Sequence, residues 1–180
     1  AGVYTAVSEP VLAMRPGILV YGGFAGYETR LEQRDWTHYP CVIDGENTRR
    51  CVTGDEYALL DGFTVTRGYS SASSTSHTKG KGGGMVNNSV SPTVRNCLFS
   101  DNHAEGAGGA ILNMAAIPRI EYCVFRSNST LDTTGINDYG TGGGAICNID
   151  GRIQLLGCTF SGNTSTAGGG ALYSEYSLMN

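Results

Sequence analysis

The feature that most constrains this chain is a repeat of fixed internal spacing. Residues 82–102 read GGGMVNNSVSPTVRNCLFSDN, residues 108–128 read GGAILNMAAIPRIEYCVFRSN, and residues 143–163 read GGAICNIDGRIQLLGCTFSGN. In each, an Asn stands five residues after the first Gly, a Cys ten further, a Phe two beyond that, and an Asn three later. A fourth copy opens at Gly169-Gly170-Ala171-Leu172, and a degenerate one lies at Leu60-Asp61-Gly62-Phe63-Thr64-Val65, with Phe63 at the Cys position and Val65 at the Phe position. The period is 26 residues from Gly82 to Gly108, 35 to Gly143 and 26 again to Gly169. The additional residues fall between the last Asn of one unit and the next Gly-Gly. That junction is therefore a loop on one side of the molecule.

Each unit carries short apolar alternations, such as Ile120 with Tyr122 and then Cys123 with Phe125, bounded by Gly, Asn, Ser and Pro. No stretch holds a 3.6-residue period over three turns, so the pattern is that of strands. A unit with about three strands is one coil of a stacked solenoid. The expected fold is all-β, a right-handed parallel β-helix with three sheets and about 26 residues per coil. Residues 1–180 form a single domain, with degenerate leading coils over 1–68, regular coils over 82–180, and loop insertions near 69–81 and 129–142.

Stacking places equal positions over one another. Cys97, Cys123 and Cys158 form one inward column over Phe63, and Phe99, Phe125 and Phe160 another over Val65. Asn102, Asn128 and Asn163 are expected as a polar column at a corner, and Asn87, Asn113 and Asn148 as a second such column. Stacked amides bond upward and downward and so satisfy groups at a bend. The paired glycines mark another corner, one that needs positive φ or close approach.

Composition closes several alternatives. Charged residues are 16% of the chain and the net charge is −4, with Lys79 and Lys81 the only lysines. A nucleic-acid partner, which needs phosphate neutralisation, is not expected. None of the six cysteines sits in a C-x-x-C pair and only three histidines accompany them, so zinc ligation is a poor reading. Free, buried thiols are expected at Cys97, Cys123 and Cys158, and Cys41 with Cys51 is the best candidate for a disulfide. No apolar run is long enough to span a bilayer.

The segments Gly-Gly-Ala-Ile at 108–111 and 143–146, Gly-Gly-Ala-Leu at 169–172, and Phe-x-x-Asn at 99–102, 125–128 and 160–163 resemble the paired repeats of polymorphic outer-membrane proteins. The N-terminal part, with Tyr21-Gly22-Gly23-Phe24-Ala25-Gly26, Arg34-Asp35-Trp36 and Leu60-Asp61-Gly62-Phe63, is similar to the leading coils of large secreted bacterial β-helix proteins. The first resemblance implies a passenger domain at the cell surface or outside the cell, and adhesion.

The most enzyme-like feature is a charged column. Aligning Leu60, Val94, Ile120 and Leu155 sets Asp61, Arg95, Glu121 and Leu156 beside one another on the outer face. Lyases and hydrolases of polysaccharides on this fold use carboxylates with Arg or Lys on such a face. A salt-bridged ladder explains the same residues, because an acid in contact with an Arg is not a poised base. No catalytic residue is assigned. Asp132, Asn137 and Asp138, and separately Asp44, Glu46 and Asn47, offer oxygen donors suited to calcium, though such clusters are commonly turns; no other cofactor is implied. Asn87, Asn128 and Asn163 head glycosylation-type triplets, yet their place in the columns argues against sugar attachment. Tyr69 and Tyr139 are candidates for carbohydrate stacking.

Neither terminus shows a capping helix, and the ends of a β-helix expose unpaired backbone. End-to-end stacking of subunits is therefore one expectation, and a fragment of a longer chain or an irregular cap is another. The expected function is a non-enzymatic secreted or surface structural protein. It would self-associate head to tail into a filament or act as an adhesive passenger on host or cell-surface glycans or proteins. The alternative is a carbohydrate-binding or carbohydrate-cleaving β-helix.

Overall fold

A computed structural model describes residues 1–73, 78, 80–132 and 140–176. The regular structure is β apart from one short 3-10 turn at Leu31–Gln33, and every strand pairing is parallel. Tracing one repeat shows why. Thr93–Arg95 pairs with Arg119–Glu121 one repeat later, Leu98–Ser100 with Val124–Arg126, His103–Ala104 with Ser129–Thr130, and Met85–Asn88 with Ile111–Met114. A chain whose every segment pairs with its own counterpart one unit away can only pair in parallel.

Four sheets result, not the three expected. The first runs from Gly2–Tyr4 through Cys41–Asp44, Phe63–Thr66, Leu98–Ser100 and Val124–Arg126 to Thr159–Ser161. The second holds five strands, from Leu19–Tyr21 to Gln154–Leu156, and the fourth holds six, from Leu12–Ala13 to Leu172–Glu175. The third, unanticipated sheet consists of Tyr69–Ser70, His103–Ala104, Ser129–Thr130 and Thr164–Ser165. Strands of two residues cannot display alternation, so hydrophobic pattern gives no sign of them. They also shorten the insertions. Tyr69–Ser70 and Ser129–Thr130 belong to the sheet, and Lys81 and Gly142 join Ala107 and Gly168 in a row of parallel bridges. Extra length is thus confined to the segment between the third sheet and the glycine corner.

The expected inner columns are present in register. Phe99 pairs with Val65 below and Phe125 above, and Phe125 with Phe160. The rings stack with centroids 5.2 and 4.9 Å apart and planes within 13° and 9°. That separation is the spacing of neighbouring strands, so the backbone itself sets the ring contact. Cys97 and Cys123 are buried in the same core, and Cys158 is half-buried at its end. Cys41, which pairs with Phe63, extends this column downward.

The two asparagine columns differ. Asn102, Asn128 and Asn163 follow the strands of the first sheet, at the corner as expected. Asn128 is saturated: its Oδ1 accepts from the Asn102 backbone N–H at 3.1 Å and from Asn102 Nδ2 at 2.9 Å, while its Nδ2 donates to Phe99 O at 3.0 Å and Asn163 Oδ1 at 2.9 Å. Asn87, Asn113 and Asn148 are not at a corner. They are third in the four-residue strands of the fourth sheet, facing inward and fully buried. There Asn87 Nδ2 donates to Asn113 Oδ1 at 2.8 Å, but Asn87 Oδ1 and Asn113 Nδ2 find no partner. A strand position lacks the free backbone groups that a bend supplies, so this ladder is incomplete.

Corners are made by residues with positive φ. Between the second and first sheets stand Gly62, Asn96, Tyr122 and Gly157, and between the first and third stand Arg67, Asp101, Ser127 and Gly162. After the fourth sheet stand Ser89, Ala115, Asp150 and Tyr176. Only the corner before the fourth sheet is glycine in every regular unit. Gly108 has φ +61, and a Cβ on Gly109 would lie 2.3 Å from Gly144 O and 2.4 Å from Ser129 O. Positive φ alone tolerates side chains, whereas backbone on two sides does not. The outward residues Val86, Leu112 and Cys147 of the fourth sheet form a second small core with Ala107 and Ile149, next to Gly140 at the end of the longer insertion.

The unequal ladders give a direct test. Asn128→Ala leaves buried donors and carbonyls of two neighbouring rungs without partners and should lower the unfolding free energy by about 3–5 kcal/mol, whereas Asn113→Ala should cost about half as much. Urea denaturation of the two variants measures both, and equal losses would contradict the assignment of distinct roles.

Candidate functional site

The charged column assembles in register, but not on an open face. Tyr21, Asp61, Arg95, Glu121 and Leu156 are successive partners at the edge of the second sheet. Asp61 has no exposed surface and Glu121 is buried, while Leu156 remains exposed. The cause is the excursion between the strands Leu19–Tyr21 and Cys41–Asp44, which lays Arg34 and Trp36 across the column. Sequence reasoning noted Arg34-Asp35-Trp36 only as part of a resemblance. Its length, too great for one coil, was the signal that it must cover something.

Asp61 is consequently saturated. Arg34 Nη2 and Arg95 Nη2 each stand 2.7 Å from its Oδ2, and Asn96 Nδ2 donates to Oδ1 at 2.9 Å. Arg34 also donates to the carbonyls of Gly22 and Asp61. Its guanidinium lies 5.0 Å from the Tyr21 ring centroid and 4.8 Å from that of Trp36, a double cation–π arrangement. The bond from Asp61 holds Arg95 above its ordinary pKa. Glu121 pairs with Arg119 on its own strand. A general base needs a lone pair directed at substrate; both oxygens of Asp61 are taken, and Oε1 of Glu121 is held by Arg119.

A groove of about 420 Å³ lies beside this cluster, along the corner between the second and first sheets. Its floor is the outward row Thr64, Leu98, Val124 of the first sheet, and its lining includes Trp36, Tyr122 and Arg126. Trp36 keeps 36% of its surface exposed and Tyr122 keeps 55%. No Asp or Glu lines the groove.

Among the described residues the calcium candidates form no ligand cluster. Asp44 is buried, and its Oδ1 accepts from Arg67 Nε at 3.0 Å and from the Glu46 N–H at 2.8 Å. Burial raises its pKa, but the bonds from Arg67 and the Glu46 N–H outweigh this and hold it below the usual carboxylate range. Glu46 is paired with Arg49. Asp132 is half-buried, and its N–H donates to Thr166 Oγ1 at 2.9 Å; Asn137 and Asp138 lie outside the described residues. Among the described residues no group of three or more His, Cys, Asp or Glu could hold a metal ion. Asn87 and Asn128 are fully buried, which removes them as sugar-attachment sites. Tyr69 stacks on His103 at 5.8 Å and donates to Glu105, so its ring and hydroxyl are both engaged; Tyr139 lies outside the described residues.

The cysteines are all free. Cys41 and Cys51, expected as the best disulfide candidate, are not bonded: Cys41 lies in the first sheet, where its Sγ accepts from the Gly23 N–H at 3.4 Å, and Cys51 stands just before the strand Val52–Thr53, where its Sγ donates to Thr66 O at 3.3 Å. Burial pushes the thiols of Cys51 and Cys147 up to about 12. Its hydrogen bond with Cys97, and then burial, raise Cys123.

Two segments, residues 96–114 and 157–175, match the model of the Chlamydia polymorphic membrane protein repeat. Each runs from the positive-φ corner, through the inner Phe and the corner Asn, into the fourth sheet. The chain thus carries the repeat of a family of outer-membrane and surface proteins, and its stacked parallel sheets are consistent with a β-helix passenger domain. No curated protein and no solved structure matches the chain. Among the described residues no helix is long and apolar enough to cross a membrane.

Buried neutral thiols are poor nucleophiles, because the thiolate is the reacting form. In native protein at pH 8, iodoacetamide should modify at most the half-buried Cys158, and in denaturant without reductant it should modify all six cysteines. Mass spectrometry of the two samples reads the result, and a Cys41–Cys51 crosslink would refute it.

Proposed function

We propose that the chain is a right-handed parallel β-helix serving as a non-enzymatic structural module at the cell surface or outside the cell, of the adhesive passenger kind. The handedness follows from the twist of parallel strands joined by crossovers. The observation that carries the reading is the division between inner and outer positions. The inner Cys, Phe and Asn columns of the regular units repeat residue for residue, while outward rows such as Thr64, Leu98, Val124 and Thr159 change at every rung. A rigid rod with variable faces suits display and recognition. The enzymatic alternative is less well supported, because the charged column ends in neutralised, covered carboxylates.

Head-to-tail association is the finer part of this proposal. Terminal strands such as Gly2–Tyr4 and Thr159–Ser161 each have a single partner and share one register, so a second copy would continue the same sheets. Further coils of a longer chain would use the same edges.

Three measurements test these statements. Immunogold labelling of intact cells of the source organism should decorate the surface, and label seen only after permeabilisation would overturn the surface reading. Incubation with a panel of polysaccharides should release no new reducing or unsaturated ends, and release would restore the enzymatic alternative. Electron microscopy of purified protein should reveal long fibres of uniform width, whereas short monodisperse rods would eliminate self-stacking.

A further inference from the structure

The groove beside the buried ion pair has a composition that selects a ligand class. Its floor spans three rungs, roughly 10 Å along the axis, and is polar at Thr64 and apolar at Leu98 and Val124. Trp36 and Tyr122 present aromatic surface to it. Tyr122 stands at the corner with φ +53, and its ring lies over Gly157, where a Cβ would stand 2.7 Å from Tyr122 Cδ1. Trp36 is held by the Arg34 guanidinium, itself anchored on fully buried Asp61. Rigid amphipathic rings over a shallow polar floor suit a ligand with C–H faces and a hydroxyl rim. The weakly positive C–H bonds of a sugar ring meet the negative π face, and hydroxyls find the polar groups.

Charge narrows the class further. Arg126 is the one charged side chain in the lining, it is exposed, and among the described residues no acid lies within ion-pair distance of it. Asp101 is joined to Arg126 through the backbone, its N–H donating to Arg126 O at 3.2 Å, and no ion pair links the two side chains among the described residues, while Asp35 and Glu121 are directed elsewhere. Asp35 Oδ1 accepts from Thr37 and from the His38 N–H, its Oδ2 meets the His38 ring, and Glu121 is on Arg119. Behind the wall, Asp61 faces two arginines, and Glu121 lies close enough to Arg95 to favour its charge as well. A guanidinium without an acid partner beside two aromatic surfaces favours a carboxylate-bearing ligand.

We propose that this groove binds an acidic saccharide, with ring faces on Trp36 and Tyr122 and a carboxylate on Arg126. The inference deepens the adhesive reading by naming its ligand class. The two fail separately, because surface labelling does not depend on sugar binding.

Trp36 is the single tryptophan of the chain, so fluorescence excited at the red edge, where tyrosine does not absorb, reports on this groove. Titration with trigalacturonic acid should give a saturable change, and cellotriose of equal length should bind about tenfold more weakly. Arg126→Gln should weaken the acidic probe about tenfold and leave the neutral one unaltered, while Tyr122→Ala should weaken both. Unchanged circular dichroism establishes that each variant folds. Arg126 is a surface residue, so Arg126→Gln carries the test should Tyr122→Ala misfold. The proposal is overturned if the acidic probe gives no saturable change up to about 10 mM. It is equally overturned if Arg126→Gln binds like the parent, if cellotriose binds as tightly, or if a short poly-glutamate peptide is preferred.

Discussion

Everything in this molecule depends on parallel strands stacked in register, so that each buried residue rests on its own equivalent from the next unit. A side chain in such a column must be compatible with itself at roughly 5 Å. Phenylalanine meets the condition by offset stacking, as Phe99, Phe125 and Phe160 do. Cysteine meets it as a small apolar group whose weak S–H finds a carbonyl, as Cys123 does at Val94 O and Glu121 O. Asparagine meets it because an amide carries donor and acceptor at once, so one rung's Nδ2 serves the next rung's Oδ1. An aspartate in the same column would set like charges over one another, and a serine would not reach.

The same condition explains why the two asparagine columns diverge although their sequence signals are identical. At the corner, Asn102, Asn128 and Asn163 also meet the free carbonyls of Val65, Phe99 and Phe125. In the fourth sheet the ladder already employs those backbone groups. Room for Asn87 is made by Gly54 one rung below, where a Cβ would stand 2.0 Å from Asn87 Oδ1. Gly54 is thus a packing residue, outside the Gly-Gly pattern and with no special torsion of its own. The repeat spacing reveals that a position is buried and polar, but only geometry separates a bend from a strand.

Legibility of the fold follows from this. The inner columns were visible because self-stacking forces identity at fixed spacing, and Cys97, Phe99 and Asn102 with their successors locate the first sheet and the corners on either side of it. The third sheet was not visible, since His103–Ala104 and Ser129–Thr130 are too short for a pattern and their outward residues differ. Nor was the burial of Asp61 visible. Register places it beside Arg95, but its cover comes from Arg34 and Trp36, which belong to no repeat. Non-repeating segments obey ordinary tertiary packing, where a lone arginine gives no hint of its destination.

That non-repeating cover also accounts for a buried charge that would otherwise be costly. An isolated carboxylate removed from water loses several kcal/mol, and a pair often does no better than apolar residues of the same size. Asp61 is retained with two arginines and an amide around it, which stabilises it but leaves no chemistry for it to perform. What the arrangement does achieve is geometric. Arg34, fixed at one end by Asp61, lies over Tyr21 and Trp36 and sets the angle at which the indole enters the groove. Replacing the ion pair with apolar side chains could preserve the packing, but it would remove the directional bond that orients the excursion on the stack. The charge at the heart of the column is therefore an anchor that fixes one wall of the groove.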